Sequence, residues 1–302
     1  MSIEVQKLSK KYQEQLAINE ISFKVNSGEI VGFLGPNGAG KSTTMKIISC
    51  FIKPTSGDVL VDGVSIHKDE LSVKSKIGYL PEHNPLYEDM YVRESILFIA
   101  QMHKIKNIKV AVQGVIEKVG LVKEAHKKIG QLSKGYKQRV GIAQAIVHDP
   151  KVLILDEPTS GLDPNQLEDI RALIKELGKN KTVILSTHIM QEVESICDRI
   201  VVIKNGSIVA DRNLEQNSNT LNNINEQIVS VEFENEISIT QLKKGLPKIK
   251  IEKNENKFLF YYNGNEDLRK LISSFAQKNE ILILEIKKHS DKLEDLFKKL
   301  TK

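Results

Sequence analysis

Four short, nearly unbroken apolar runs mark the first 210 residues: Ile30 to Leu34, Val152 to Leu155, Val183-Ile184-Leu185 and Ile200 to Ile203. Runs of this length between polar or turn residues predict strands buried on both faces, as in a parallel sheet. The chain opens on Ile3, Val5 and Leu8, a pattern that reads as a half-buried strand. Helical spacing appears over Val92 to His103 and Val110 to Val119. It returns in Val140, Ile142, Ala143 and Ile146, which follow Ser133, a good N-cap. Strands alternating with helices predict an α/β architecture.

The pattern changes after residue 210. Asn213 to Asn225 holds six asparagines and few large apolar residues, the composition of a linker. Beyond it, Ile228–Phe233, Lys257–Tyr262 and Glu280–Glu285 read as strands, with helices at Ile239–Lys244 and Asp267–Lys278. A small α+β domain follows from that alternation. A last helix is expected from Ser290, carrying Leu293, Leu296, Phe297 and Leu300 on one face against the domain's own sheet.

Composition narrows the function classes. The chain has 302 residues, 40% of them hydrophobic, and a net charge of +5. No apolar run reaches the ~18 residues that span a bilayer, and no signal peptide is expected. The basic excess is spread over lysines instead of forming a stripe, which argues against nucleic acid as a partner. Cys50 and Cys197 lie far apart without a CxxC pair, which implies neither a metal site nor a disulfide framework.

The chemistry lies at the ends of the apolar runs. Gly35-Pro36-Asn37-Gly38-Ala39-Gly40-Lys41-Ser42-Thr43 joins the first run to a helix opening at Lys41, the strand-loop-helix context of a phosphate-binding loop. Its glycines let backbone N–H groups converge on an anion, and the helix dipole lies behind the same phosphates. Lys41 supplies a point charge, and Ser42 a hydroxyl for Mg²⁺. The second run delivers Asp156 and Glu157 to the carboxyl edge of the sheet, where ligands bind in open α/β folds. Asp156 is suited to hold Mg²⁺ and Glu157 to deprotonate the attacking water. Ser133 starts a second helix whose N-terminus can meet an anion.

Leu132-Ser133-Lys134-Gly135-Tyr136-Lys137-Gln138 resembles the signature motif of ATP-binding cassette (ABC) proteins, although Lys134 and Tyr136 depart from the common Gly and Gln. The resemblance covers almost all of residues 1 to 210 and implies a P-loop NTPase fold with a β-rich N-terminal part, a RecA-like core and a helical subdomain. It implies an ATP-binding domain over 1–215 with its helical subdomain at about 83–138, a linker at 216–226 and an accessory α+β domain at 227–302. It also implies ATP and Mg²⁺ as cofactors and an ATP-bound homodimer in which Ser133 and Gly135 complete the partner's phosphate site. By the same resemblance Tyr12 stacks on adenine, Asp163 in Ser160-Gly161-Leu162-Asp163 carries signals between cassettes, and His188 meets the γ-phosphate. Glu82 stands where the family usually has a Gln beside the Mg²⁺ and the water.

The implied protein is an ATPase subunit, cytoplasmic and peripheral on the inner face of the membrane, that drives a separate transmembrane permease. The tail is similar to those of drug- and polysaccharide-exporter (ABC-2) cassettes. The run Tyr79-Leu80-Pro81-Glu82-His83-Asn84-Pro85-Leu86-Tyr87 is similar to a gliding-motility-associated cassette. The alternative is a soluble ABC ATPase with a role outside transport. A GTPase would need Asn-Lys-x-Asp, and Asn180-Lys181-Thr182-Val183 lacks the Asp.

Overall fold

The computed structural model describes residues 2–214 and 226–289, apart from 236, 248, 255, 256 and 265. Its contacts divide the chain into two units, Met1–Leu214 and Glu215–Lys302. The first unit begins with β1 (Ile3–Tyr12), β2 (Gln15–Val25) and β3 (Ile30–Leu34), followed by α1 (Lys41–Ile48), β4 (Ser56–Val61), β5 (Val64–Ser65), α2 (Glu70–Lys76) and β6 (Ile77–Leu80). It continues through α3 (Val92–Met102), α4 (Ile108–Lys118), α5 (Lys134–Ile146), β7 (Val152–Asp156) and α6 (Pro164–Gly178). It closes with β8 (Thr182–Thr187), α7 (Met190–Ile196), β9 (Arg199–Lys204) and β10 (Ser207–Asn213).

The apolar runs build one six-stranded sheet in the order β10-β9-β3-β8-β7-β6. Pairing is parallel from β9 to β6, and β10 returns antiparallel along the edge. Every residue of β3, β7 and β8 is buried, which explains why these runs carry no polar alternation. A second sheet, β2-β1-β4-β5, is antiparallel. Its inward residues Val5, Leu8, Phe23 and Val61 share one core with Val31, Phe33, Met45, Ile154 and Val201 of the α/β layer. The Phe23 and Phe33 rings lie 5.4 Å apart across it. This packing holds α1 against the sheet and so fixes the loop that precedes the helix.

Helices α3, α4 and α5 bury Val92, Ile96 and Ala100, Val112 and Ile116, and Val140 and Ala143. Gln144 on α5 donates to Ser95 Oγ on α3 at 2.7 Å. The helix expected over Val92–His103 stops at Met102, with His103 as C-cap, and that expected over Val110–Val119 spans Ile108–Lys118.

In the second unit, β11 (Glu226–Phe233), α8 (Ile239–Gly245), β12 (Lys250–Asn254), β13 (Lys257–Asn263), α9 (Leu268–Lys278) and β14 (Ile283–His289) form an antiparallel sheet with two helices. The strand order is β12-β13-β11-β14. Val229, Val231, Phe258 and Phe260 share a core with Leu242, Leu268, Ile272 and Phe275. Two expectations need correction. The last strand begins at Ile283 instead of Glu280, because α9 ends in a turn: Asn279 caps it, Glu280 takes a left-handed φ of 54°, and Ile281 N donates back to Ala276 O. A fourth strand, β12, also exists, an edge strand in which Ile251 is buried among charged neighbours. Most of the Asn-rich linker and the helix expected from Ser290 lie outside the described residues.

Candidate nucleotide site

The loop between β3 and α1 opens onto a cleft of about 490 Å³. Asn37, Gly38, Gly40, Lys41, Ser42 and Thr43 line it, with Tyr12, Glu82, Glu157, Ser160 and His188 around the rim. Gly35, Pro36 and Ala39 shape the loop itself: Ala39 N donates to Pro36 O at 3.2 Å, and Gly206 N to Ala39 O at 3.0 Å. Gly40 has φ 109° and lies against the Ala17 carbonyl, which a Cβ would meet at 2.7 Å. Only glycine takes that backbone and that approach together. Immediately after it, the first amides of α1 have no carbonyl a turn earlier to bond, so they are available to an anion.

Lys41 is buried, and its Nζ donates to Gly35 O at 2.8 Å and Pro36 O at 3.3 Å. The same ammonium stands 3.4 Å from Glu157 Oε1. A lysine held by loop carbonyls and a carboxylate is positioned without substrate, and an incoming phosphate can replace weak partners by strong ones.

Strand β7 ends on Asp156, which is 1% exposed. Its Oδ1 accepts from Ser42 Oγ at 3.0 Å and from Ser186 Oγ at 2.5 Å. Its Oδ2 is buried and has no hydrogen-bond partner. Burial pushes the Asp156 carboxyl above the usual range, the two serines oppose that rise, and the charge of Glu82 adds to it. A buried carboxylate oxygen without a donor, next to a hydroxyl at a phosphate loop, is a donor set suited to a hard, oxygen-seeking cation such as Mg²⁺. Ser42 and Asp156 therefore fit the ion that the sequence implies.

Glu157 leaves the strand with a left-handed φ of 48°, which turns its side chain away from that of Asp156. Its N–H is shared between Ser186 O at 3.2 Å and Ser186 Oγ at 3.1 Å. The carboxylate is buried, with Oε2 2.9 Å from His188 Nδ1 and Oε1 near Lys41. His188 itself is half-exposed, with 47% of its side chain open to solvent. Glu157 thus has one cationic neighbour and one titratable neighbour, and its position at the cleft suits a base acting on water.

The remaining expected positions separate into rim and surface. Tyr12 is 46% exposed at the end of β1, with Lys10 Nζ 5.1 Å from its ring centroid. Glu82 follows β6 at the rim, and among the described residues its carboxylate has no hydrogen-bond or ion-pair partner. Ser133 caps α5, its Oγ accepting from Tyr136 N at 3.4 Å. Neither Ser133 nor Gly135 lines the phosphate cleft of its own chain. Gly135 is buried so closely against α6 that a Cβ would come within 2.6 Å of Gln166 Cδ. Asp163 caps α6 through Gln166 N at 2.9 Å, so the start of α5 rests on the helix whose first turn Asp163 fixes.

Three residues emerge that sequence reasoning did not assign to the site. Ser186 bridges the Asp156 carboxylate and the Glu157 backbone N–H. Glu192 on α7, 1% exposed, accepts from Thr187 Oγ1 at 2.6 Å and from Thr159 Oγ1. This buried network ties the segment after Glu157 to the one before His188. Gln138 Nε2 on α5 donates to Pro158 O at 2.8 Å, linking the Ser133 helix to the same segment. Ser186 lies in a run already read as a strand end, and the Gln138–Pro158 and Thr159–Glu192 contacts join residues 20 or more positions apart.

Residues 18–160 match the ABC transporter family. The chain is 33% identical over 307 residues to the uncharacterized ABC transporter ATP-binding protein YhcH of Bacillus subtilis, covering 99% of this chain and 95% of that protein. It is 34% identical to the bacitracin transport ATP-binding protein BcrA of Bacillus licheniformis, over 97% and 95% of the two chains. Over residues forming 69% of the chain and 70% of the relative, it is 36% identical to the Nod factor export ATP-binding protein I of Burkholderia orbicola. Among solved structures, the dimeric cassette MJ0796 superposes with a TM-score of 0.65 at 29% identity, covering 70% of this chain and 98% of that one. A post-hydrolysis dimer of MJ0796 bound to ADP and Pi superposes equally well, with a TM-score of 0.65 at 28% identity. With its phosphate loop, strand-end carboxylates and capped signature helix in one fold, this chain belongs to the ATP-binding cassettes of the ABC transporter family.

Proposed function

We propose that the protein binds ATP with Mg²⁺, dimerises on it, hydrolyses it, and so powers a separate membrane permease of exporter type. The observation that carries this reading is the pairing at the end of β7: a buried, half-satisfied Asp156 beside Ser42, and Glu157 between Lys41 and His188. In this reading the loop amides and Lys41 hold the phosphates, and Ser42 and Asp156 hold the cation, with Glu82 beside them. When bound, Mg²⁺ would neutralise charge on the terminal phosphates. Glu157 takes the proton of the attacking water, and His188 orients the Glu157 carboxylate through its 2.9 Å contact. Tyr12 offers a face to the base.

The exporter assignment rests on relatives named for bacitracin transport and Nod factor export. The likeness of Tyr79–Tyr87 to a gliding-motility cassette has no counterpart among the relatives named above. No helix among the described residues is long and apolar enough to cross a membrane, and the proposed cytoplasmic, membrane-peripheral location depends on the permease. The dimer reading draws support from the exposure of Ser133 away from its own cleft and from the dimeric relative. Asp163, fixed at the start of α6, would report across that dimer. No nucleic acid is expected as a partner. We assign residues 1–215 to the ATPase and 227–302 to an accessory role, joined by 216–226.

The test is Glu157→Gln, which keeps the shape and removes the base. Turnover should fall by ~10²–10⁴ while ATP binding persists. Gel filtration with ATP should then show a stable dimer. Hydrolysis at the normal rate would place the base elsewhere.

A further inference from the structure

The rim of the nucleotide cleft carries more negative charge than phosphate binding alone would favour. Glu82, Asp156 and Glu157 supply three carboxylates at or beneath it, and Lys41 is the ammonium set among them. Lys41 is already engaged, by Glu157 and two loop carbonyls. Asp156 Oδ2 is buried with no donor, and the Glu82 carboxylate has no partner among the described residues. The polyanionic end of ATP therefore approaches two carboxylates without a salt bridge among the described residues, Lys46 being only the weakest of the influences on Asp156. Repulsion between like charges at such a partly desolvated site is several times stronger than in bulk water.

A divalent cation reverses the balance. It would supply two positive charges beside Asp156, whose Oδ1 accepts from Ser42 Oγ and whose Oδ2 has no donor, and Glu82 lines the cleft that Ser42 also lines. Resting on the nucleotide reading above, we propose that Glu82 makes nucleotide binding depend on the divalent cation: its carboxylate opposes free ATP and favours ATP that arrives with the metal. An amide at this position would hydrogen-bond without charge and would discriminate less. Glu82 is then a residue that selects the metal-bound form of the substrate, separate from the base at Glu157.

The experiment measures binding alone. A methylanthraniloyl-labelled ATP is titrated by fluorescence into the wild-type chain and into Glu82→Gln, once with excess EDTA and once with excess Mg²⁺. Glu82 is exposed and Gln is isosteric, so folding should be unaffected, and circular dichroism checks it. The ratio of Kd in EDTA to Kd in Mg²⁺ should fall about tenfold in Glu82→Gln, a change of about 1.4 kcal/mol in coupling. Most of that change should come from tighter binding in EDTA. An unchanged ratio, or a change confined to the Mg²⁺ arm, would overturn the role given to Glu82. Failure of the wild-type chain to bind the probe in either condition would instead overturn the nucleotide reading itself.

Discussion

Ser186→Ala removes one oxygen atom from the interior of the site and tests how the two carboxylates are held. The hydroxyl is fully buried in β8, donates to Asp156 Oδ1 at 2.5 Å, and accepts from Glu157 N at 3.1 Å. After the substitution Glu157 N keeps Ser186 O at 3.2 Å, and Asp156 Oδ1 keeps Ser42 Oγ at 3.0 Å. One bond to a buried charge is therefore lost without a substitute. Hydrogen bonds to charged groups contribute about 1.5–3 kcal/mol, and the surviving Ser42 bond places the expected loss near the lower end. Burial already pushes the Asp156 carboxyl up, and Ser186 is the largest influence holding it down. Without it the carboxyl titrates higher still, so the acid limb of the ATPase profile should move to higher pH. On that limb less of Asp156 is ionised to meet the cation, and at every pH its remaining oxygen is less well oriented toward it. Half-saturation by Mg²⁺ should rise by roughly tenfold, about 1.4 kcal/mol. Urea denaturation and a Mg²⁺ titration of ATP hydrolysis measure the two effects. Wild-type values in both would show that Ser186 fills space without organising the carboxylates.

Two further outcomes are expected. Tyr87 is 67% exposed and lines, with Phe98, a cleft between α3, α5 and β6. Tyr87→Glu should leave isolated ATPase activity unchanged but abolish co-purification with the permease, and retained association would move the docking surface elsewhere. In the same cleft His148 is stacked on His103 with ring centroids 3.8 Å apart, and its Nε2 meets Ile77 O at 3.0 Å. Burial, reinforced by His103, pushes the His148 imidazole down to about 4. A depressed histidine contributes stability that is complete above the unfolded value near 6.5 and is lost as pH falls toward about 4. Discounted for partial exposure, the loss across that window should be ~1–2 kcal/mol. His148→Gln should flatten the urea midpoint between those pH values, and an equally steep wild-type and variant profile would refute the assignment.

The legible parts of this chain are those where function is written locally. A phosphate loop needs glycines, lysine and serine within nine residues, so Gly35 to Thr43 declares itself before any fold is known. Asp156 and Glu157 were readable because an apolar strand must end where they stand. Ser186 was not, since its importance depends on β8 lying between β3 and β7, a long-range pairing without local signature. Glu192 looked like an ordinary acidic residue in a helix, and only folding brings two threonines to it. In the second unit, periodicity found α8 and α9 but put the last strand three residues early. Hydrophobicity continues through Ile281 and Leu282, while the backbone there is still closing a helix.

The position of β8 has a further consequence. The phosphate loop leaves from β3 and the carboxylates from β7, with one whole strand between them. Adjacent strands are about 4.8 Å apart, so the backbones that carry the loop and the carboxylates leave the sheet roughly 10 Å apart, and the pairs Ser42–Asp156 and Lys41–Glu157 close that gap to contact. That distance is set by peptide hydrogen bonds and not by any side chain facing the cleft. Sequence drift around the rim can alter affinity and rate, yet the spacing of the strands beneath stays constant. The sheet sets the gap that the side chains must close, and the side chains decide what is held in it.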